Sequence, residues 1–154
     1  MEMSDSGVFA GYVESLDRWV QVGIASGNVI QVSVFSTEPA EVVDHPYVAR
    51  LVAVLDGGEP DPFDDIPIAL TVSTQERRIF ETVRGIPPRQ ERTVAEVVSR
   101  TAVLQPGEDA HRHVREALSG NPVPLLVPDH RVAGIDGATP PDVRRHLRSI
   151  EELE

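Results

Sequence analysis

The period of apolar positions changes once along this chain, near residue 70. Before that point the pattern repeats every second residue. From Gly7 to Val13, Val8, Ala10 and Tyr12 alternate with Phe9, Gly11 and Val13, which predicts a strand buried on both faces. Val20, Val22 and Ile24 share one face of a second strand, Trp19 to Ala25, and Ile30, Val32 and Val34 share one face of a third, Val29 to Phe35. Ser26-Gly27-Asn28 between them predicts a hairpin turn. Pro39 opens a short helix through Val43. Pro46 opens a longer one, with Val48, Leu51, Val52, Val54 and Leu55 at core-facing spacing and Gly57-Gly58 ending it. Residues 59–65, rich in Pro and acids, predict an exposed linker, and Ile66 to Leu70 a last short strand.

From Thr71 onward the spacing is helical. Ser73 with Glu76 forms a capping box ahead of Ile79, Phe80 and Val83, and Ile86-Pro87-Pro88 stops that helix. Thr93 with Glu96 is a second box, opening a helix that buries Val94, Val97, Val98 and Ala102. After a break at Gln105-Pro106-Gly107, a third helix runs from about Asp109 to Leu118 and ends at Gly120. Two short helices across a tight break have the shape of a helix-turn-helix. Thr139 caps a final helix with Pro140 in its first turn and Val143, Leu147 and Ile150 as its stripe. The chain thus divides into an α/β unit at 1–70, with residues 1–6 frayed, and a helical unit at 71–154; the fold class is α/β (α+β).

One stretch fits neither period. Asn121 to Val132, NPVPLLVPDHRV, places three prolines around Leu125, Leu126 and Val127. The run can be buried but cannot continue as a helix. It predicts a rigid turn that delivers Asp129 and His130 to one spot, as sites of chemistry require.

Charge changes the picture. The chain carries 25 acidic and 14 basic residues, a formal charge of −11, and every basic residue is Arg. An acidic surface without Lys suits a protein working in high salt, where screening removes self-repulsion; a GC-rich genome gives a similar bias. Broad binding to nucleic acid through phosphate charge is disfavoured, so DNA work requires a local basic patch. Without cysteine, disulfides, thiolate metal sites and thiol catalysis are excluded. No apolar run reaches membrane-spanning length and no signal peptide is visible, so the expectation is a soluble cytoplasmic protein, monomeric and without a membrane partner. His111 and His113, two apart on a helix, point away from each other, and no metal site or cofactor is expected.

Asn121-Pro122 followed by Pro128-Asp129-His130-Arg131-Val132 resembles the active-site signature of the methylated-DNA–protein-cysteine methyltransferases, the suicide alkyltransferases of DNA repair. Their motif has Asn-Pro, an apolar run and Pro-Cys-His-Arg-Val. Asp129 stands where the alkyl-accepting cysteine belongs. The resemblance implies a small ribonuclease-H-like N-terminal unit and a helix-turn-helix, winged-helix-like C-terminal one. It implies that His130 and Glu151 are the pair that would activate an acceptor, that Asn121 braces the loop, and that Arg112 is the finger that fills the space left by a flipped base. Thr93, Val94, Arg115 and Arg131 are the other expected DNA contacts.

The chain also departs from that family. Val94 stands where a tyrosine rotates the nucleotide, Pro88-Arg89 replace Tyr-Gly after Ile86-Pro87, and Asp136-Gly137-Ala138-Thr139 runs into the last helix without the family's Gly-Tyr-x-Gly-Gly roof. A carboxylate is a far weaker nucleophile than a thiolate. The expected function resembles that of the alkyltransferase-like proteins, which bind double-stranded DNA with alkylated guanine, do not repair it, and flag it to a repair partner. A scaffold that has left DNA work is the alternative. An Asp129-ester transferase or hydrolase is the third reading.

Overall fold

A computed structural model describes residues 6–102, 104–105 and 107–153. Residues 1–5 of the stretch 1–6 expected to fray, and Pro106 within the expected break, lie outside them; Ser6 is described, its hydroxyl accepting the Ser26 N–H at 3.1 Å. Three antiparallel strands, β1 (Gly7–Val13), β2 (Arg18–Ala25) and β3 (Asn28–Phe35), form one sheet in that order. α1 (Pro46–Leu55) packs on it. α2 (Thr74–Arg84), α3 (Val94–Ser99), α4 (Glu108–Ser119) and α5 (Pro141–Ile150) follow, with a two-residue parallel pair, β4 (Arg92–Thr93) and β5 (Val132–Ala133).

Phe9, Val13, Val20, Val22 and Ile24 face α1, whose Val48, Leu51, Val54 and Leu55 are buried. Gly11 permits the contact: a Cβ there would stand 2.8 Å from Val48 Cγ1. α1 ends in a Schellman turn, with Gly57 at φ 97° and the Gly58 N–H bonded to the Ala53 carbonyl at 2.9 Å. Ser26 and Gly27, at φ 52° and 82°, make the hairpin turn whose backbone twist suits the strands it joins. Both capping boxes form as the sequence requires.

Several expectations are corrected. β1 is not buried on both faces throughout: on the face opposite Phe9 and Val13, Ala10 is buried but Val8 and Tyr12 lie open. In β3 the register shifts between Gly23 and Ile24, so Ile24 opposes Val29 while Gly23 opposes Gln31. Ile30 is the extra residue of that bulge, and its side chain turns outward while Val29 and Val32 turn in. Residues 39–43 are not helical: the chain runs past β1, where the Val43 carbonyl accepts the Ala10 N–H at 3.0 Å. Residues 66–70 form a single bridge, Val29 to Ile68, rather than a strand. The acidic linker is not wholly exposed either. Asp61 and Asp65 bind Arg50, the Arg50 guanidinium lies over the Phe63 ring at 5.6 Å, and Phe63 enters the core. α3 ends at Ser99, leaving Ala102 exposed, and Ile150 is half-buried.

Residues on both sides of position 70 contribute to one apolar core among the described residues. The Val32 N–H donates to the Pro122 carbonyl at 2.9 Å, His146 Nε2 meets the Leu55 carbonyl at 2.7 Å, and Arg84 binds the carbonyls of Phe63 and Ile66. The sheet therefore backs the Asn121–Val132 segment directly. Among the described residues no helix is long and apolar enough to cross a membrane.

Candidate functional site

The Asn121–Val132 segment is fixed by one side chain. Asn121 accepts the Val123 N–H at 3.0 Å, and its amide donates to the Val127 carbonyl at 2.9 Å and to Asp129 Oδ2 at 3.0 Å. These bonds hold Leu125 at φ 77°, a conformation that costs an ordinary residue about 1–2 kcal/mol, while Leu125, Leu126 and Val127 fill the core. A turn of 3₁₀ helix, Asp129–Arg131, then leads into β5. Because β5 pairs with β4, Val132 and Ala133 lie beside Arg92 and Thr93, at the start of α3.

Asp129 is fully buried, and its carboxylate is surrounded by donors. Oδ2 accepts the Asn121 amide and the Ala138 N–H, each at 3.0 Å, and Oδ1 accepts the Thr139 hydroxyl at 2.7 Å. Thr139 was expected to cap α5; its hydroxyl is drawn to Asp129 instead, and Pro140 takes the cap position with no side-chain bond. Gly137 lies against the carboxylate. At φ 61°, a Cβ on it would be 2.7 Å from Asp129 Cγ. The short loop 134–137 thus sits directly on residue 129.

His130, Arg131 and Glu151 form a second buried group. His130 Nε2 is 3.0 Å from Glu151 Oε2. Arg131 grips both Glu151 oxygens, Nε at 2.9 Å and Nη2 at 2.8 Å, and sends Nη1 to the Ile86 carbonyl at 3.0 Å. The Arg89 N–H adds a fourth bond to Glu151 at 3.0 Å, from a residue at φ 69°. Burial would raise the Glu151 carboxyl, but the hydrogen bonds from His130 and Arg131 outweigh it and hold the group at about 2. Burial lowers His130 below its ordinary value, against the pull of Glu151. In the neutral ring that burial favours, the proton sits on Nε2 toward Glu151. Nδ1 is then a bare acceptor, and it is buried without a partner.

The structure brings together Asn121, Asp129, His130 and Glu151. It does not bring Arg131 to a surface: expected at DNA, Arg131 is 3% exposed and neutralises Glu151. Val94 is likewise buried, as the first residue of α3. Thr93 is exposed, with its hydroxyl on the Glu96 N–H. Arg112 and Arg115 are exposed on α4; Arg112 meets Asp109 at 3.4 Å and Arg115 has no partner among the described residues. Arg144 and Arg148 were not anticipated. They bind the carbonyls of Asp129 and His130 at 3.1 and 2.8 Å and hold the turn onto α5. Their four-residue spacing on one helix face was the available signal.

A braced Pro-x-His-Arg-Val turn, a buried His–Glu–Arg group and a two-helix element carrying exposed arginines define an alkyltransferase-type fold. The family profile described as "6-O-methylguanine DNA methyltransferase, DNA binding domain" matches residues 74–152. The chain belongs to that family. It is similar to the methylated-DNA–protein-cysteine methyltransferase of Methanopyrus kandleri, 36% identical over 80 residues, 52% of this chain and 56% of that protein. It is 33% identical to the enzyme of that name from Metallosphaera sedula over 99 residues, 62% of this chain and 60% of that protein. The matches thus span less than two thirds of these curated relatives. In fold it is similar to Mycobacterium tuberculosis OGT in complex with DNA, with TM-score 0.71, 20% identity, and coverage of 94% of this chain and 92% of that one. The O6-methylguanine-DNA methyltransferase of Pyrococcus kodakaraensis gives TM-score 0.68 at 20% identity, covering 96% of this chain and 100% of that one.

Proposed function

We propose that this protein binds double-stranded DNA containing O6-alkylated guanine without transferring the alkyl group to itself. The observation that carries the second half is the saturation of Asp129. Its two oxygens hold three hydrogen bonds in a buried site, and Gly137 closes over them. A carboxylate stabilised this way is a poor nucleophile toward an unactivated alkyl group. An ester adduct would break those bonds and need room that the loop occupies.

The DNA-binding half rests on the family, on the DNA held by the M. tuberculosis neighbour, and on the surface of the 71–154 unit. In this reading that unit makes the contacts and the 1–70 unit supports it. Arg112 and Arg115 on α4, with Thr93 at the start of α3, are its exposed candidates. The test is titration of duplexes with and without a single O6-methylguanine, in potassium chloride, with the intact mass recorded afterwards. Preference for the methylated duplex that is lost in Arg112→Ala, with no mass gain, is the expected result. A methyl gained on Asp129 overturns the non-transfer reading.

One observation favours a second reading, a scaffold no longer used on DNA. The donors of Ala138 and Thr139 are consumed by Asp129, and those of the Asn121 amide by Asp129 and the Val127 carbonyl, leaving none of them for a flipped base. Failure to bind either duplex selects that reading.

A further inference from the structure

The N-terminal sheet carries a surface that the DNA reading does not use. Of the five large apolar side chains exposed among the described residues, Val8, Tyr12, Val42 and Val43 belong to β1 or to the segment beside it. Between β1 and the start of α1 lies a groove of about 560 Å³, with Ala10, Gly11, Val48, Ala49 and Val52 on its floor and walls.

β1 is an edge strand. Its Ala10 N–H points away from β2, to the Val43 carbonyl. The alternation of an antiparallel ladder turns the main-chain groups of Tyr12 the same way. Among the described residues, no backbone group beyond the sheet meets the Tyr12 N–H. Where residues 42–43 leave β1, the edge therefore continues open along the groove. An open edge beside an apolar trough favours an added strand.

The charge around it selects the strand. Asp44 lines the groove. Asp17 accepts the Tyr12 hydroxyl at 2.7 Å, and Glu14 and Asp56 act on the same phenol through their charge. Asp44, Glu41 and Glu14 are exposed, and none has an ion-pair partner among the described residues.

We propose that the open edge of β1 and its groove form a docking site for an extended segment of a partner protein in which apolar and basic residues alternate. The main chain of that segment pairs with the outward N–H and carbonyl of Tyr12, beyond the point where Val43 covers Ala10. Its apolar side chains enter the groove beside Ala49 and Val52, and its cations face Asp44 and Glu14. A second copy of this chain fits poorly, because it would bring the same acidic rim against itself.

The probe is a short fluorescent peptide alternating valine and arginine. Its controls are a peptide of the same composition with the valines and arginines in two blocks, and one alternating valine and glutamate. The expected result is binding at least about tenfold tighter than either control, with slowed exchange of the Tyr12 amide hydrogen. Ala49→Arg, an exposed change that fills the groove, loses about tenfold; Arg112→Ala loses nothing. Asp44→Lys is the second variant should Ala49→Arg melt early. Equal binding of the two-block peptide shows charge attraction alone and overturns the proposal. So does full binding by both groove variants, or a dimer in solution that Ala49→Arg returns to monomer.

Discussion

His130 Nε2 and Glu151 Oε2 lie 3.0 Å apart in the interior, and Arg131 closes on the same carboxylate. Twenty residues separate the turn from the end of α5, so this contact ties the last helix to the Asn121–Val132 segment. It also directs the Nε2 proton toward Glu151 and favours the charged ring, against which burial works. The group is thus an architectural element of the turn, whatever chemistry the turn performs.

Acid should weaken the fold in two stages. Burial holds His130 below its ordinary 6.5, so the unfolded chain takes up that proton first and stability falls as pH drops below 6.5. His45, also lowered by burial, acts in the same direction. Glu151 sits at about 2 against an ordinary 4.5; its contribution is complete above 4.5 and is lost as pH falls toward 2. Urea midpoints measured across pH should show both stages. His130→Gln should shrink the upper stage, with His45 supplying what remains. An unchanged upper stage contradicts the assignment.

Glu151→Gln keeps the size of the side chain and removes the charge that Arg131 faces. An uncompensated buried guanidinium costs about 3–5 kcal/mol. Equilibrium denaturation of the variant should show a loss in that range, whereas the exposed Glu152→Gln should change little.

Gly137 and Asp129 should behave as one unit. Gly137→Ala places a methyl 2.7 Å from Asp129 Cγ, at a backbone angle that side chains disfavour. The expected loss is about 1–3 kcal/mol. In Asp129→Ala the carboxylate is gone, so adding Gly137→Ala should cost only the backbone term. A double-mutant cycle from denaturation midpoints reads the difference, and a coupling near zero shows that the loop does not rest on Asp129.

The fold is legible in the sequence where its signals are local. Both capping boxes and the Schellman turn of α1 depend on side chains within a few positions, and they form as read. Residues 39–43 have the local marks of a helix, but a distant strand captures the Val43 carbonyl. Ile30 is out of phase because a bulge adds one residue, which alternation alone does not reveal. In the site, the approach of His130, Asp129 and Asn121 followed from the motif. The capture of Thr139 by Asp129 depends on a loop closing in space, and so does the burial of Arg131, whose charge suggested a surface.

Arg112 and Arg131 make the sharpest contrast on the DNA question. Arg131 is buried in the Glu151 group, so Arg131→Ala should unfold the turn and lose DNA binding indirectly. Arg112 is exposed, and its pair with Asp109 is a surface pair that contributes little. Arg112→Ala should therefore melt within about 0.5 kcal/mol of the parent, and any loss of binding reports directly on the interface. The salt dependence then distinguishes two roles. If Arg112 neutralises a phosphate, the variant weakens on every duplex and the slope of log affinity against log salt falls by about 1. If Arg112 fills the gap left by a flipped base, the slope is kept and only the preference for the methylated duplex disappears. The second pattern is expected. An unchanged affinity on both duplexes would remove α4 from the DNA surface.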